Sequence, residues 1–264
     1  MIYRIRDLRL SFPDMVNKSL FGPAPRTPVL RGLSFDVPRG EVMGIVGGSG
    51  SGKSTLGRAM LRLIEPTSGS IEFDGVDITH ATEATLRPLR PQFQMIFQDP
   101  MSSLNPRRNV GAIIAGPLRL QGLEGIAAHV DEALDMVGLT RLFAHRYPHE
   151  LSGGQRQRVG IARAIALRPK FILADEIVSG LDVSSQAQVL NLLEDLVRDL
   201  GLTLVFISHD LSVIRRLCTR ILVLHNGEIV EEAETAKLFD APQAAYTRSL
   251  LDAIPLPDPD QFWA

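Results

Sequence analysis

The sequence predicts an α/β fold with a mostly parallel core sheet, an antiparallel β edge layer and an inserted α-helical subdomain. Three observations carry that expectation. Short apolar runs at 42–46, 95–97, 171–174, 204–207 and 221–224 end in polar or glycine-rich residues, and the last three are separated by helical stretches, as in parallel strands with crossover helices. The first 77 residues instead alternate strands with turns. Residues 100–168 carry helical periodicity.

In chain order, MIYRIRDLRL alternates apolar and charged residues like a half-buried strand over 2–10 and lacks the apolar core of a signal peptide. Further strands are expected at 29–37, 42–46 and 70–73, punctuated by PRG at 38–40 and DG at 74–75. Residues 13–28 hold four prolines and form an exposed loop. After the strand at 42–46, Leu56, Ala59, Met60 and Leu63 follow helical spacing. In the middle segment Val130, Ala133, Leu134 and Val137 share one face before a stop at Gly138, and Ser152 opens a further helix through Leu167. Together these give one domain over 1–264: a core of 1–99 and 169–240, a helical subdomain at 100–168, and a tail at 241–264.

Composition excludes several classes. A formal net charge of −2 argues against a general polyanion binder, so no nucleic-acid partner is expected. The single cysteine, Cys218, allows neither a disulfide framework nor a cysteine metal site and reads as a buried bystander. Nothing approaches the run of about 18 apolar residues that would cross a membrane. The chain is therefore expected in the cytoplasm, reaching any membrane process through partners.

Residues 47–55 read GGSGSGKST and fit G-x-x-x-x-G-K-[ST] with Gly47, Gly52, Lys53 and Ser54 in the fixed places. Backbone N–H groups can surround a phosphate only where no Cβ intrudes and positive φ is cheap, which Gly47, Gly48, Gly50 and Gly52 permit beside Ser49 and Ser51. The helix that starts near Lys53 and runs on through Thr55 adds its N-terminal dipole. Lys53 is expected to reach the β- and γ-phosphates of a nucleotide and Ser54 to ligate Mg²⁺. Guanine specificity is unsupported, because no N-K-x-D segment is present.

Other strands deliver polar groups at their C-terminal ends: Gln98, the pair Asp175 and Glu176, and Ser208 with His209. Ligands of open parallel sheets bind beyond those ends, so the groups can converge on one nucleotide. Asp175 is suited to hold Mg²⁺ opposite Ser54, and Glu176, turned the other way, to act as general base on an attacking water. An Asp-Glu pair after a strand is otherwise an ordinary helix cap; the phosphate loop upstream selects the chemical reading. His209 is either a capping histidine before Asp210 or a γ-phosphate contact, and its place after the strand following the acidic pair favours the latter. Gln98 stands likewise between a strand-end polar residue and a site residue.

GGSGSGKST, IFQDP, LSGGQRQRVGIARA, FILADE, SGLD and ISHD, in this order and spacing, resemble an ABC-type ATPase over essentially the whole chain. Ser152 and Gln155 of LSGGQ also fit a capping box, a second helix N-terminus with glycines. The resemblance implies head-to-tail dimers in which Ser152, Gly153, Gly154 and Gln155 contact the γ-phosphate of ATP held by the partner, with Asp182 along the seam. It implies catalytic roles for Glu176, His209, Gln98 and Lys53, with Gln98 also near the metal beside Ser54 and Asp175. Adenine would stack on an aromatic near the first strand, Phe12 first, then Phe21 and Tyr3.

FQDPMSSLNPRRNV, RYPHELSGGQ, DVSSQAQVLNLL and the tail APQAAYTRSLLDAIPLPDP are similar to ATPase subunits of peptide and nickel importers, of the second-subunit type. That implies an ATPase energising import of di- or oligopeptides or nickel, paired with a second ATPase beneath two membrane permeases, indirectly with a substrate-binding protein, at the cytoplasmic face of the inner membrane. ATP and Mg²⁺ are the implied ligands. The segment with Arg107 and Arg108 after Gln98 is either solvated surface or a seat for a permease helix. Ile177 stands where proline is usual and Gly180 where alanine is common; neither removes a catalytic group. The tail at 241–264 holds no cysteine, so no iron–sulfur cluster is expected there. Other outcomes are an importer of another solute, or an ABC ATPase of repair or translation, which would carry a coiled-coil insertion or two ATPase domains.

Overall fold

The computed structural model describes residues 1–14, 22 and 24–253. Its strands are β1 (Tyr3–Pro13), β2 (Arg26–Val37), β3 (Val42–Val46), β4 (Ser68–Phe73), β5 (Val76–Asp77), β6 (Phe93–Ile96), β7 (Phe171–Asp175), β8 (Thr203–Ile207), β9 (Arg220–His225) and β10 (Glu228–Glu234). Its helices are α1 (Lys53–Met60), α2 (Glu83–Leu86), α3 (Pro100–Ser103), α4 (Val110–Leu120), α5 (Ile126–Met136), α6 (Gly153–Ile165), α7 (Val183–Leu200), α8 (Leu211–Leu217), α9 (Thr235–Asp240) and α10 (Ala245–Asp252).

Two sheets form. The order β10-β9-β3-β8-β7-β6 is parallel throughout except for β10, which runs antiparallel to β9. Every residue of β3, β7 and β8 is buried, which is why these strands read as unbroken apolar runs. The second sheet, β2-β1-β4-β5, is antiparallel and alternates buried and exposed residues. Between the two sheets lies one core cluster, with Ile5, Leu56, Met60, Phe73, Phe171 and Val205. The Tyr3 ring packs there on Phe73 and Phe171 at centroid distances of 5.0 and 4.7 Å, contacts that stabilise by about 0.5–1.5 kcal/mol each beyond area burial. The other core cluster joins the opposite face of the parallel sheet to α4, α5, α6 and α7.

Some boundaries differ from expectation. β1 runs on to Pro13 and β2 starts at Arg26, so both ends of the expected loop at 13–28 are strand, paired as Phe12↔Thr27 and Pro13↔Arg26. The last β4 partner of β1 is Ser68, opposite Arg9, so residues 11–13 are an edge where a proline removes no ladder bond. Residues 15–21 and 23 of that loop lie outside the described residues. α1 stops at Met60, leaving Leu63 exposed, because Arg62 turns to φ 51° and its Nε donates to Ile78 O at 2.8 Å. β6 likewise ends at Ile96, leaving Phe97 exposed. Val130, Ala133, Leu134 and Val137 are all buried, and Cys218 is buried too, its thiol pushed up by desolvation.

Candidate active site

The site is assembled at the C-terminal ends of β3, β8, β7 and β6, adjacent strands in one parallel sheet. After Val46 the chain turns through Gly47 at φ 153°, where a Cβ would stand 2.1 Å from Leu224 O, so only glycine fits. The loop ends at Gly52, the N-cap of α1, at φ 103° and with no side chain capping the helix. The first-turn amides of α1 thus keep their dipole and donors directed out of the helix end. Lys53 is buried; its Nζ donates to Gly47 O at 2.8 Å and Gly48 O at 2.9 Å. Burial lowers its pKa, against the opposing pull of Glu176 and Asp175.

Ser54 Oγ donates to Asp175 Oδ1 at 3.0 Å. Desolvation holds the Asp175 carboxyl above its ordinary range, with the Ser54 hydrogen bond acting the other way and the neighbouring Glu176 charge adding to the rise. Hydroxyl and carboxylate side by side form a hard oxygen pair that suits Mg²⁺.

Glu176 leaves the strand direction. Its φ of 49° lies in the left-handed region, which costs a non-glycine residue on the order of 1 kcal/mol, and its N–H donates to Ile207 O at 2.9 Å. The turn sends its carboxylate to Gln98, whose Nε2 donates at 3.0 Å, and to His209, whose Nδ1 lies 3.5 Å away. Gln98 therefore sits against Glu176, one residue beyond the Ser54–Asp175 pair. The structure brings together the loop 47–55, Asp175, Glu176, Gln98 and His209, which are scattered over more than 160 positions in the chain.

A second group stands on its own. Ser152 caps α6 by accepting from Gln155 N at 3.3 Å, and Gln155 Oε1 accepts from Ser152 N at 3.0 Å. A Cβ on Gly154 would lie 3.1 Å from Ser185 Oγ, and Ser185 N donates to Asp182, the N-cap of α7. Ser152, Gly153, Gly154, Gln155 and Asp182 thus form one patch, and none of these hydrogen bonds reaches residues 47–55.

Of the aromatic candidates, Phe12 is partly exposed on β1, two residues beyond Leu10, whose partner Leu30 lies against Gly52. Tyr3 is fully buried among Phe73 and Phe171 and has no face open to a ligand, which removes it from consideration. Phe21 lies outside the described residues. Sequence reasoning missed Tyr246, whose hydroxyl accepts from Gly48 N at 2.8 Å, and His225, whose ring lies 3.8 Å from that of Tyr246. No local signal marks a contact across 198 positions.

The family model described as ABC transporter matches residues 30–179. A Brucella ovis protein named as a peptide import ATP-binding protein is 54% identical over 235 residues, covering 88% of this chain and 74% of that one. The glutathione import ATP-binding protein GsiA of Salmonella paratyphi A is 47% identical over 264 residues, which is 98% of this chain but 42% of GsiA. Among solved structures, the dimeric post-hydrolysis ATP-binding cassette MJ0796 bound to ADP and Pi matches at 29% identity and TM-score 0.77, over 88% of this chain and 98% of that one. The structure of cbiO1 from Clostridium perfringens, part of the ABC transporter complex cbiONQ, matches at 28% identity and TM-score 0.78, over 91% of each chain.

Proposed function

The chain belongs to the ABC transporter family, and from that premise we propose that it is the ATP-hydrolysing subunit energising a membrane importer of peptides. The solute class is supported by relatives named for peptide and for glutathione import, glutathione being a tripeptide. The observation that carries the ATPase reading is the convergence of Lys53, the Ser54–Asp175 pair and the Gln98–Glu176–His209 cluster around one glycine-rich loop.

ATP lies with its phosphates on the amides of 49–55, and Lys53 exchanges the carbonyls of Gly47 and Gly48 for the β- and γ-phosphate oxygens. Ser54 and Asp175 would hold Mg²⁺; among the described residues no group of three His, Cys, Asp or Glu could do so, so phosphate and water oxygens complete such a site. When bound, the ion offsets phosphate charge. Glu176 takes the proton of the water that attacks the γ-phosphorus in line, and ADP departs with the bridging oxygen. Gln98 and His209 orient Glu176 and that water. Phe12 offers an exposed ring for adenine.

The patch of Ser152–Gln155 and Asp182 serves a second ATPase subunit, whose ATP it contacts across a head-to-tail dimer. That the related cassette is dimeric with ADP and Pi bound supports the pairing of two such subunits. Residues 100–168 act as a helical subdomain on a core of 1–99 and 169–240. An apolar groove of about 400 Å³ beside Gln98, lined by Leu63, Phe93, Phe97, Pro117 and Leu120, suits a permease segment. Leu63, Phe97 and Leu120 of this groove are exposed apolar surface that a partner would cover. Among the described residues no helix is long and apolar enough to cross a membrane; in this reading the permeases hold the subunit at the cytoplasmic face. Two permeases and a substrate-binding protein complete the importer.

The test is Glu176→Gln. The purified variant is expected to bind ATP within about threefold of wild type, hydrolyse it at about 1% of the rate or less, and accumulate as a dimer. Cells carrying it as their only copy are expected to lose peptide uptake. Near-normal hydrolysis would remove Glu176 as base, and uptake that persists without the chain would overturn the importer assignment.

A further inference from the structure

Tyr246 lies on α10, in the C-terminal segment, and its hydroxyl accepts from Gly48 N of the phosphate loop at 2.8 Å. Lys53 Nζ donates to Gly47 O at 2.8 Å. These two contacts fall on the same peptide unit, the one joining Gly47 to Gly48. Its oxygen carries the lysine and its N–H is held by the tyrosine. Donation at one end of a peptide strengthens acceptance at the other, so Tyr246 and Lys53 are coupled through one rigid plane.

The hydroxyl is itself held in place. The Tyr246 ring lies 3.8 Å from that of His225, the last residue of β9, and the preceding Leu224 O is what confines Gly47. The start of α10 is tied to β10 by Glu231, whose carboxylate accepts from Gln243 N at 2.8 Å and Ala244 N at 2.9 Å. Burial of Thr247 fixes the adjacent turn. α10 also walls a cavity of about 410 Å³ in which Leu250 and Ala253 face Val46, Gly47 and His209. A Cβ on Gly48 would stand 3.0 Å from the Tyr246 oxygen, so a larger residue there would push the hydroxyl back by a few tenths of an ångström.

We infer that Tyr246 is a positioning residue for ATP: its hydroxyl orients the Gly47–Gly48 peptide, and through it the resting place of Lys53 and the aim of the loop amides that follow. The inference rests on the assignment of residues 47–55 as the ATP phosphate cradle. Tyr246 touches no reacting atom, so its loss acts on nucleotide affinity rather than on the chemical step.

The experiment compares the full chain with Tyr246→Phe, which keeps the ring on His225 and removes only the hydroxyl. Mg-ATP affinity is read by direct titration with a fluorescent ATP analogue and by competition with ATP, alongside KM, kcat and Tm. The expected result is a Kd and KM about 3- to 10-fold higher, a kcat within about twofold, and a Tm lower by no more than about 2–4 °C, the loss of one net hydrogen bond. Tyr246→Ala should raise Kd further. Wild-type Kd in Tyr246→Phe, a fall in kcat at constant KM, or a Kd change accompanied by a Tm loss well beyond about 4 °C would each overturn the positioning role. Wild-type chain that binds no ATP would overturn the ATPase reading as well.

Discussion

The helices α1 and α6 both carry glycines at their starts, and they treat their first amides in opposite ways. α1 starts behind Gly52, has no side-chain cap, follows a buried strand and packs into the core between two sheets, with a lysine folded over the loop carbonyls. α6 starts behind exposed Ser152, whose hydroxyl and the Gln155 amide close a reciprocal capping box. An uncapped start leaves donors for a ligand and depends on its surroundings for rigidity; a capped start is stable alone and offers a partially satisfied face. The first suits a primary phosphate cradle. The second suits a surface that completes a site built elsewhere, and its lack of hydrogen bonds to the loop agrees with that division.

The sharpest way to break the contrast is to remove the cation from the uncapped side. Lys53→Ala should weaken ATP binding by roughly 100-fold or more, measured by titration calorimetry, because a buried charge-assisted contact to phosphate is lost. ATP affinity close to wild type would show that the loop amides suffice. On the capped side, Gly153→Asp places a negative charge where a Cβ meets only Leu181 at 3.5 Å, so the fold should tolerate it. ATP hydrolysis should fall about 10-fold or more while the Kd of the isolated chain changes less than about twofold. An equal loss of affinity would place both helix starts at the same nucleotide.

The smallest expected effect concerns the carboxylate beside α1. Burial raises the Asp175 pKa, so the stability it contributes is complete below the unfolded-state value and is lost as pH rises through the folded-state value. Near neutrality the wild-type chain therefore carries the burden of a buried charge. Asp175→Asn, which can still accept from Ser54, should raise Tm by about 2–4 °C near neutrality, with the gain vanishing under acid conditions. The same variant should lose much of the Tm gain that Mg-ATP confers. No neutral-pH gain would mean that the Ser54 bond outweighs desolvation.

How much of this was legible follows from the range of each interaction. The strand, loop and helix at 42–60 and the capping box at Ser152 are local patterns, and the structure places them where the spacing puts them. The ends of β1 and β2 were misjudged because antiparallel pairing across 13–28 overrode the turn signals of the prolines. Leu63 fits helical spacing, yet Arg62 finds better partners in Ile78 and ends the helix first. Tyr3 and Phe12 look equivalent as first-strand aromatics; they differ only because one faces a second sheet and the other an edge.

Residue order alone decides that Gly47 to Thr55 can cradle phosphate, that Asp175 and Glu176 end a buried strand, and that 152–155 open a helix, because each rests on interactions spanning a few residues. Sheet order, by contrast, decides that Glu176 turns from Asp175 to meet Gln98 and His209, and that a tyrosine 198 positions away holds the amide of Gly48. Those contacts have no local energetic signature. They exist only after two core faces have been buried and the strand ends brought side by side, so the nucleotide chemistry is written in short motifs while its geometry belongs to the packed whole.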